Sequence, residues 1–238
     1  AAVRTLGPGN VAAATAYSDS LPMSERQPAL DFAADLGVTV FTPETDEMSR
    51  EGYRANAGDR CAFCKSELLD VLVPLAAAQG YDVVATGTNA DDARAGFRPG
   101  IKAAADRGAV TPLLDAGLTK AQVRAVSRAW DLPTWDKPAA ACLSSRIAYG
   151  IEITPSRLAR VERAEAEVRQ LLPGVRNVRV RDLGETARVE VDRDLVDHVD
   201  GRILAAVREA GVTVAEVDPL GFRSGSMNAL FSDAQRHR

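Results

Sequence analysis

Short apolar runs alternate with amphipathic stretches between Val11 and Trp130. The runs predict short strands, and the stretches, in which apolar residues recur every three to four positions, predict helices. The predicted strands are Val11–Tyr17, Val38–Phe41, Tyr81–Thr86 and the short or merely extended Val110–Leu114; the predicted helices are Ser24–Leu36, Asp59–Leu75 and Thr119–Trp130, with Ser24 and Thr119 as N-caps. Repeated strand–helix alternation predicts an α/β domain with a doubly wound parallel sheet.

The pattern changes after Gly150. A long helix with Pro155 at its first position, two strands joined by a turn at Gly184, a second helix and a third strand give the order αββαβ. The predicted bounds are Thr154–Leu172, Val175–Asp182, Ala187–Val191, Asp194–Ala210 and Val212–Val217. We therefore expect a nucleotide-binding domain over 1–150 and a small α+β domain over 151–238, with a frayed tail.

Composition narrows the function classes. The 238 residues are 46% hydrophobic and 26% charged, which is ordinary for a globular protein. No apolar run reaches the roughly 20 residues that span a bilayer, and no export signal opens the chain. We therefore expect a cytoplasmic protein that does not bind membranes. The net charge of -4 argues weakly against a dedicated duplex-binding surface.

Three cysteines carry the clearest chemical signal. Cys61 and Cys64 form a C-x-x-C at the start of a predicted helix, where the thiolate is favoured. Cys142 lies in the segment WDKPAAACLSSR, where the hydroxyl pair and guanidinium that follow it suit an anion beside a sulfur nucleophile. The three thiols can ligate an iron–sulfur cluster with one open iron, act as a redox pair plus a nucleophile, or be unrelated buried cysteines. Zinc is disfavoured, since no fourth cysteine or nearby histidine completes a tetrahedral site.

A second signal follows a predicted strand, in the segment GTNADD from Gly87 to Asp92. One interpretation is a strand-to-helix turn with Asx capping. In the other, Asp91 or Asp92 binds Mg²⁺ while the Gly-Thr backbone approaches a nucleotide. Arg98, in the nearby turn FRPG, is able to grip a phosphate.

Arg179 and Arg181 share one face of a predicted strand. Such a pair more often forms a solvated face, here with cross-strand pairing to Glu190, than a ligand site. Both interpretations stay open on the residues alone.

Taken together, six segments resemble the LarE family, the PP-loop sulfur transferases that act in making the nickel-pincer nucleotide of lactate racemase and related enzymes. The segments are RCAFCKSEL, ATGTNADD, FRPGIKAA, TPLLDAGLTKAQVR, LPTWDKPAAACLSSRIAYG and GFRSGSMN. The resemblance implies a PP-loop ATP-pyrophosphatase (adenine nucleotide alpha hydrolase-like) fold that uses ATP and Mg²⁺. It implies that ATP adenylates a carboxylate of pyridinium-3,5-biscarboxylic acid mononucleotide, and that sulfur then replaces the activated oxygen to give a thiocarboxylate.

The resemblance also assigns residues. It places Ser18, Lys65, Gly87, Asp91 and Arg98 at the nucleotide; Cys142, with Cys61 and Cys64 as cluster ligands, at the sulfur; and Ser145, Arg146, Arg179, Arg181 and, more weakly, Glu165 at the substrate. Family members with a single cysteine give up the sulfur of the residue that matches Cys142. The two further cysteines favour members that hold a [4Fe–4S] cluster. The family also implies a homo-oligomer, a hexamer, with a small-molecule partner and no nucleic acid.

One departure concerns the phosphate loop SGGxDS, which is absent from these residues. The chain is predicted to begin inside a helix, so we expect this loop upstream of Ala1. Two alternatives stay open: a tRNA-thiolating PP-loop enzyme, which would need a basic RNA surface, and a non-enzymatic regulator that kept the fold.

Overall fold

The computed structural model describes residues 1–94 and 98–227. The chain divides into two units, each formed by three segments. The first unit comprises Ala1–Ser18, Met23–Tyr53 and Asp59–Ala139. The second comprises Asp19–Pro22, Arg54–Gly58 and Ala140–Arg238, described as far as Met227. The predicted domain boundary after Gly150 stays a prediction.

The first unit combines parallel strand pairing with helices. Its strands are β1 (Ala12–Ala14) and β2 (Thr39–Phe41), and its helices are α1 (Ala2–Leu6), α2 (Met23–Asp35), α3 (Glu51–Ala55, of which Arg54 and Ala55 belong to the second unit), α4 (Arg60–Ala78), α5 (Ala90–Arg94), α6 (Pro99–Ala105), α7 (Pro112–Asp115) and α8 (Lys120–Ala129). Strands β1 and β2 are parallel, and a further parallel bridge joins Tyr17 to Glu44. A mixed α/β fold with parallel pairing is thus confirmed, and the doubly wound order stays a prediction.

Two predicted strands are wrong in their extent. Tyr81–Thr86 and Val110–Leu114 meet in a single parallel bridge between Ala85 and Val110, and α7 begins at Pro112. The next hydrogen bond of this ladder would need an N–H group at position 112, which proline lacks. Proline also suits the first position of a helix.

Helix starts follow their capping groups. Thr119 forms the predicted N-cap of α8, in a capping box with Gln122. Helix α2 begins at Met23, so the prediction of Ser24 as its N-cap is wrong. The predicted helix over Asp194–Ala210 is divided, because the Asp200 carboxylate accepts the N–H groups that start a new helix.

The second unit is a small α+β layer. Its helices are α9 (Pro155–Leu171) and α10 (Gly201–Glu209), its strands are β3 (Val178–Asp182), β4 (Thr186–Val191) and β5 (Val214–Val217), and 3₁₀ segments span Leu143–Arg146 and Arg193–His198. Strand β4 is central, antiparallel to β3 and parallel to β5. Helices and sheet bury a core that includes Val168, Val178, Val189 and Val207, all 0% exposed.

Asn56 ties an early segment of the chain into this second unit. Its backbone is left-handed, with φ 53°, and the residue is fully buried. Its Nδ2 atom donates to the carbonyl oxygens of Ile147, Ala148 and Ile151 at 3.3, 2.9 and 3.0 Å. Asparagine tolerates this backbone region better than most residues, so the position combines a turn with a threefold clamp.

Among the described helices, none combines the length and the apolar character that a membrane span requires. Phe97 and the predicted frayed tail from residue 228 onward lie outside the described residues.

Candidate active site

Cys142 stands at the start of the 3₁₀ segment Leu143–Arg146, in the N-cap position. A side chain at an N-cap faces the second and third residues of the helix. The Cys142 Sγ accordingly lies 3.0 Å from the Ser144 Oγ, while the Ser145 Oγ donates to the Cys142 carbonyl oxygen at 2.7 Å. The hydroxyl against the sulfur is therefore that of Ser144, and the predicted site residue Ser145 braces the backbone.

Arg146 forms hydrogen bonds to the backbone and to a side chain of the same loop. Its Nη1 atom donates to the carbonyl oxygens of Ala141 and Cys142 at 2.6 and 2.9 Å, and to the Ser145 Oγ at 3.1 Å. Its Nε and Nη2 atoms donate to the two carboxylate oxygens of Glu165 at 2.8 and 3.2 Å. Both side chains are almost fully buried, at 3% and 5% exposed. This bidentate pair holds the Cys142 loop in one conformation.

Glu165 reaches this position because α9 turns it inward. Leu158, Val161 and Val168 form the buried stripe of α9, and Glu165 falls on the same stripe. Its Oε1 atom also accepts the Val180 N–H of β3 at 3.1 Å. One carboxylate therefore connects helix α9, strand β3 and the Cys142 loop.

The two arginines of β3 are buried rather than solvated. Arg179 and Arg181 are each 6% exposed, so the solvated-face interpretation is wrong. Arg179 lies over the Phe222 ring, with 5.2 Å from its guanidinium carbon to the ring centre. Its Nη1 atom donates to the Val178 carbonyl oxygen at 2.7 Å.

The charge around Arg179 is predominantly positive. The pKa of Arg179 is lowered to about 10, mainly by burial and also by the guanidinium groups of Arg146, Arg181 and Arg169, while the Glu165 carboxylate acts in the opposite direction. A buried site that disfavours one more positive charge favours an anion. The face of β3 that carries Arg179 is therefore suited to a phosphate or carboxylate.

Arg181 pairs diagonally across the sheet. The residue directly opposite Glu190 is Arg179, yet the ion pair forms between Arg181 Nη2 and Glu190 Oε2 at 2.7 Å. Ser226 bridges the two, donating to Glu190 Oε1 at 2.8 Å and accepting from Arg181 Nη2 at 3.0 Å. The Arg181 Nε is buried and has no hydrogen-bond partner among the described residues. It is a donor in place for a further acceptor.

The C-x-x-C lies in the first unit, at the start of α4. Cys61 is exposed and Cys64 is half-buried. The Cys64 Sγ lies 3.7 Å from Oε1 of the buried Glu47. Burial raises the pKa of Glu47, although hydrogen bonds from its own backbone N–H and from the side chains of Cys64, Ser18 and Thr45 oppose this rise.

The predicted nucleotide residues also belong to the first unit, each with its own neighbours. The Ser18 side chain bonds to Glu47, and the exposed Gly87 has nothing within 4 Å of an added Cβ. The Asp91 Oδ2 accepts the Lys120 N–H at 2.8 Å, at the start of α8. Arg98 lines a cavity of about 560 Å³, whose wall also includes Ala62, Ser66, Lys102 and Asp106. Lys65, in α4, lies close to Gly100 of α6.

The described residues include side chains that could bind a metal ion, but these side chains do not form a metal site. Three thiolates are the donors that an iron–sulfur cluster takes, and none of the cysteines forms a disulfide. Within residues 1–94 and 98–227, no three His, Cys, Asp or Glu side chains form a group able to hold a metal ion. The cluster on Cys61, Cys64 and Cys142 stays a prediction.

Several residues of the site were missed by the sequence reasoning. Glu47 contacts the Cys64 sulfur in the first unit. In the second unit, Ser226 accepts a hydrogen bond from Arg181, and Phe222 packs against Arg179. A glutamate on the apolar stripe of α9 was a detectable signal for Glu165, whereas nothing local to Glu47 indicates its contact with Cys64.

A half-buried free cysteine and a face of buried arginines in the same unit form an arrangement suited to enzymes that transfer sulfur to an anionic substrate. No protein-family model matches the chain. It is 32% identical over 98% of its length to the pyridinium-3,5-bisthiocarboxylic acid mononucleotide synthase of Lactiplantibacillus plantarum, 85% of which is covered. The chain therefore belongs to the LarE family, as the resemblance indicated.

Two further relatives have no established function. An uncharacterised protein of Synechocystis is 41% identical over 94% of this chain and 84% of its own length. An uncharacterised protein of Methanocaldococcus jannaschii is 29% identical over 59% of this chain and 54% of its own.

Proposed function

We propose that this protein is an ATP-dependent sulfur transferase that converts the carboxylates of pyridinium-3,5-biscarboxylic acid mononucleotide into thiocarboxylates. The observation that carries the proposal is the Cys142 thiol, on a loop fixed by the buried Arg146–Glu165 pair, in the same unit as the buried arginines of β3. Membership of the LarE family supports the choice of substrate.

The reaction has two balanced steps. A substrate carboxylate oxygen attacks the α-phosphorus of ATP, and pyrophosphate leaves, giving an acyl-adenylate. A sulfur nucleophile then attacks the acyl carbon, the C–O bond to phosphate breaks, and AMP leaves with the electron pair. A thiolate suits the second step because it is strongly nucleophilic at neutral pH.

The proposed site residues of the second unit either contact the substrate or position the Cys142 loop. Arg179 and Arg181 bind the substrate phosphate and carboxylates, since guanidinium groups match both. Arg146 acts as a positioning residue, because its donors are used by Glu165 and by the loop carbonyls. Ser145 likewise braces the loop, and the Ser144 hydroxyl is placed to donate to the sulfur when Cys142 is a thiolate.

We assign ATP and Mg²⁺ to a doubly wound PP-loop domain over 1–150, and the substrate to the α+β domain over 151–238. Ser18, Lys65, Gly87, Asp91 and Arg98 are the proposed nucleotide residues. The proposed assembly is a cytoplasmic homo-oligomer, a hexamer, that acts on a small molecule and not on nucleic acid.

The proposed sulfur source is a [4Fe–4S] cluster held by Cys61, Cys64 and Cys142. Such a cluster would supply a labile sulfide on the iron that no protein thiol ligates, so that the protein turns over more than once. The alternative is sacrifice of the Cys142 sulfur itself, which needs a third step. The thioester formed with Cys142 loses the α-proton of that residue to water, the Cβ–Sγ bond breaks, and the thiocarboxylate leaves with dehydroalanine at position 142, so that each chain makes one transfer.

The test is an assay of the full-length protein, purified without oxygen and supplied with ATP, Mg²⁺ and the biscarboxylic mononucleotide. We expect AMP and pyrophosphate to form only with the substrate, together with its thiocarboxylate. Cys142→Ser should still release pyrophosphate but form no thiocarboxylate. An unchanged thiocarboxylate yield in this variant would refute the role of Cys142, and AMP formation with bulk tRNA instead of the mononucleotide would refute the substrate.

The amounts of iron and acid-labile sulfide per chain distinguish a cluster from Cys142 as the source of the sulfur. About four of each per chain supports the cluster. Near zero after anaerobic reconstitution, with one transfer per chain, supports sacrifice of the Cys142 sulfur.

A further inference from the structure

Two glycines lie directly against the C-x-x-C turn. Gly52, in α3, lies under the Phe63 ring, and a Cβ added at Gly52 would lie 2.1 to 2.6 Å from three ring atoms. Phe63 is the residue between the two cysteines that directly precedes Cys64. No real contact is this short, so any side chain at position 52 must displace the ring.

The second glycine lies on the backbone of the same turn. A Cβ added at Gly100, near the start of α6, would lie 3.2 Å from the Cys61 carbonyl oxygen. Backbone gives way less readily than the end of a side chain, so α6 or the first turn of α4 must shift by a few tenths of an ångström.

Neither glycine is required by backbone conformation. Both lie inside helices, and neither has the positive φ that favours glycine. In a helix, alanine is favoured over glycine by roughly 1 kcal/mol. A methyl group at either position would therefore act through its contact with the C-x-x-C turn and not through the backbone conformation.

We propose that Gly52 and Gly100 are positioning residues for the Cys61–Cys64 thiol pair. Residues three apart on a helix share a face, so both thiols reach one ligand only when the first turn of α4 holds its place. The Phe63 ring, seated on Gly52, anchors that turn on one side, and the backbone of α6 at Gly100 supports the other. The role of the two thiols as cluster ligands rests on the proposed function. The positioning of the thiol pair by the two glycines rests on the geometry alone.

The experiment measures the pair without the cluster. Phenylarsine oxide bonds two neighbouring thiols at once, with loss of one water, and reports their spacing. Protein carrying Cys142→Ser, in which Cys61 and Cys64 are the remaining cysteines of these 238 residues, is titrated with it in the Gly52→Ala and Gly100→Ala variants. Gly9→Ala is the matched control, since nothing lies within 4 Å of a Cβ there and its φ is not positive.

We expect Gly52→Ala and Gly100→Ala to bind phenylarsine oxide at least about fivefold more weakly, the lower range of an overpacking cost, and Gly9→Ala to match the parent. Phe63→Leu, introduced into Gly52→Ala, should restore binding, because the shorter side chain leaves room for the methyl group.

Parent-like binding in both glycine variants, or a weakened Gly52→Ala that Phe63→Leu does not restore, would overturn the proposal. If Gly52→Ala does not fold, Gly100→Ala and the Gly52→Ala/Phe63→Leu double variant decide in the same manner. The iron content of the protein with Cys142 intact distinguishes the positioning role of the glycines from the proposed cluster. If the glycine variants weaken binding of the arsenical but the protein binds no iron, the positioning role is retained and the cluster is refuted.

Discussion

Glu165→Ala removes the carboxylate that connects α9, β3 and the Cys142 loop. The Arg146 guanidinium, whose side chain is 3% exposed, would lose its only bidentate partner among the described residues. The Val180 N–H would lose its acceptor at 3.1 Å. Both groups would stay buried, because the elements around them keep their own contacts.

The expected cost follows from those two groups. Removing one member of a buried ion pair costs about 3–5 kcal/mol, because the other charge is left buried without compensation. An unsatisfied backbone N–H adds about 1–3 kcal/mol. Partial access of water to the opened space offsets some of this, so we expect the free energy of unfolding to fall by about 3–5 kcal/mol.

Urea unfolding of the full-length protein, followed by far-UV circular dichroism, measures this change. Glu167→Ala is the control, since Glu167 lies on the same helix but is exposed, and it should change the stability by less than about 0.5 kcal/mol. In a double-mutant cycle with Arg146→Met, the combined loss should be clearly smaller than the sum. A loss below about 1 kcal/mol for Glu165→Ala, or strict additivity in the cycle, would show that the pair does not hold the site together.

Three further substitutions have expected outcomes. Asn56→Ala leaves three carbonyl oxygens without their shared donor and should cost about 2–4 kcal/mol in urea unfolding; a loss below about 1 kcal/mol would contradict the clamp. Thr119→Ala removes the capping box of α8 and should lower stability by about 1 kcal/mol, whereas Thr119→Ser should keep most of it. Burial raises the pKa of Glu47, so this group stabilises the fold below its unfolded pKa and loses that contribution as pH rises through the folded value. Glu47→Gln should therefore be more stable than the parent at pH 7, with the gain vanishing toward about pH 4; a gain that does not depend on pH would refute the argument.

The sequence predicted much of the second unit because its signals are local. The cap and Pro155 at the start of α9 and the alternating residues of β3 and β4 depend only on near neighbours. The predicted extent of the strand Tyr81–Thr86 is wrong for a non-local reason. Its pairing with the segment that begins at Val110 ends where that segment reaches Pro112.

The site shows the same division. Cys142, Ser145 and Arg146 are contiguous, and their mutual contacts follow from one short segment. The pairing of Arg181 with Glu190 depends on a diagonal across the sheet and on Ser226 from the end of the described chain. The sequence indicated cross-strand pairing to Glu190, but it could not show that Arg181, and not the directly opposite Arg179, forms the ion pair.

The buried position of Asn56 has a consequence for the order in which the protein is completed during synthesis. Asn56 precedes Ile147, the first of its three acceptors, by 91 residues. At usual rates of translation this interval lasts about 5 to 20 s, during which the segment has no place to bind within its own unit. The Cys142 loop and the carbonyl groups that Asn56 clamps reach the same nascent chain only at the end of that wait. A nascent chain that ends before Ile147 lacks all three acceptors of Asn56, so its second unit cannot yet close around this residue.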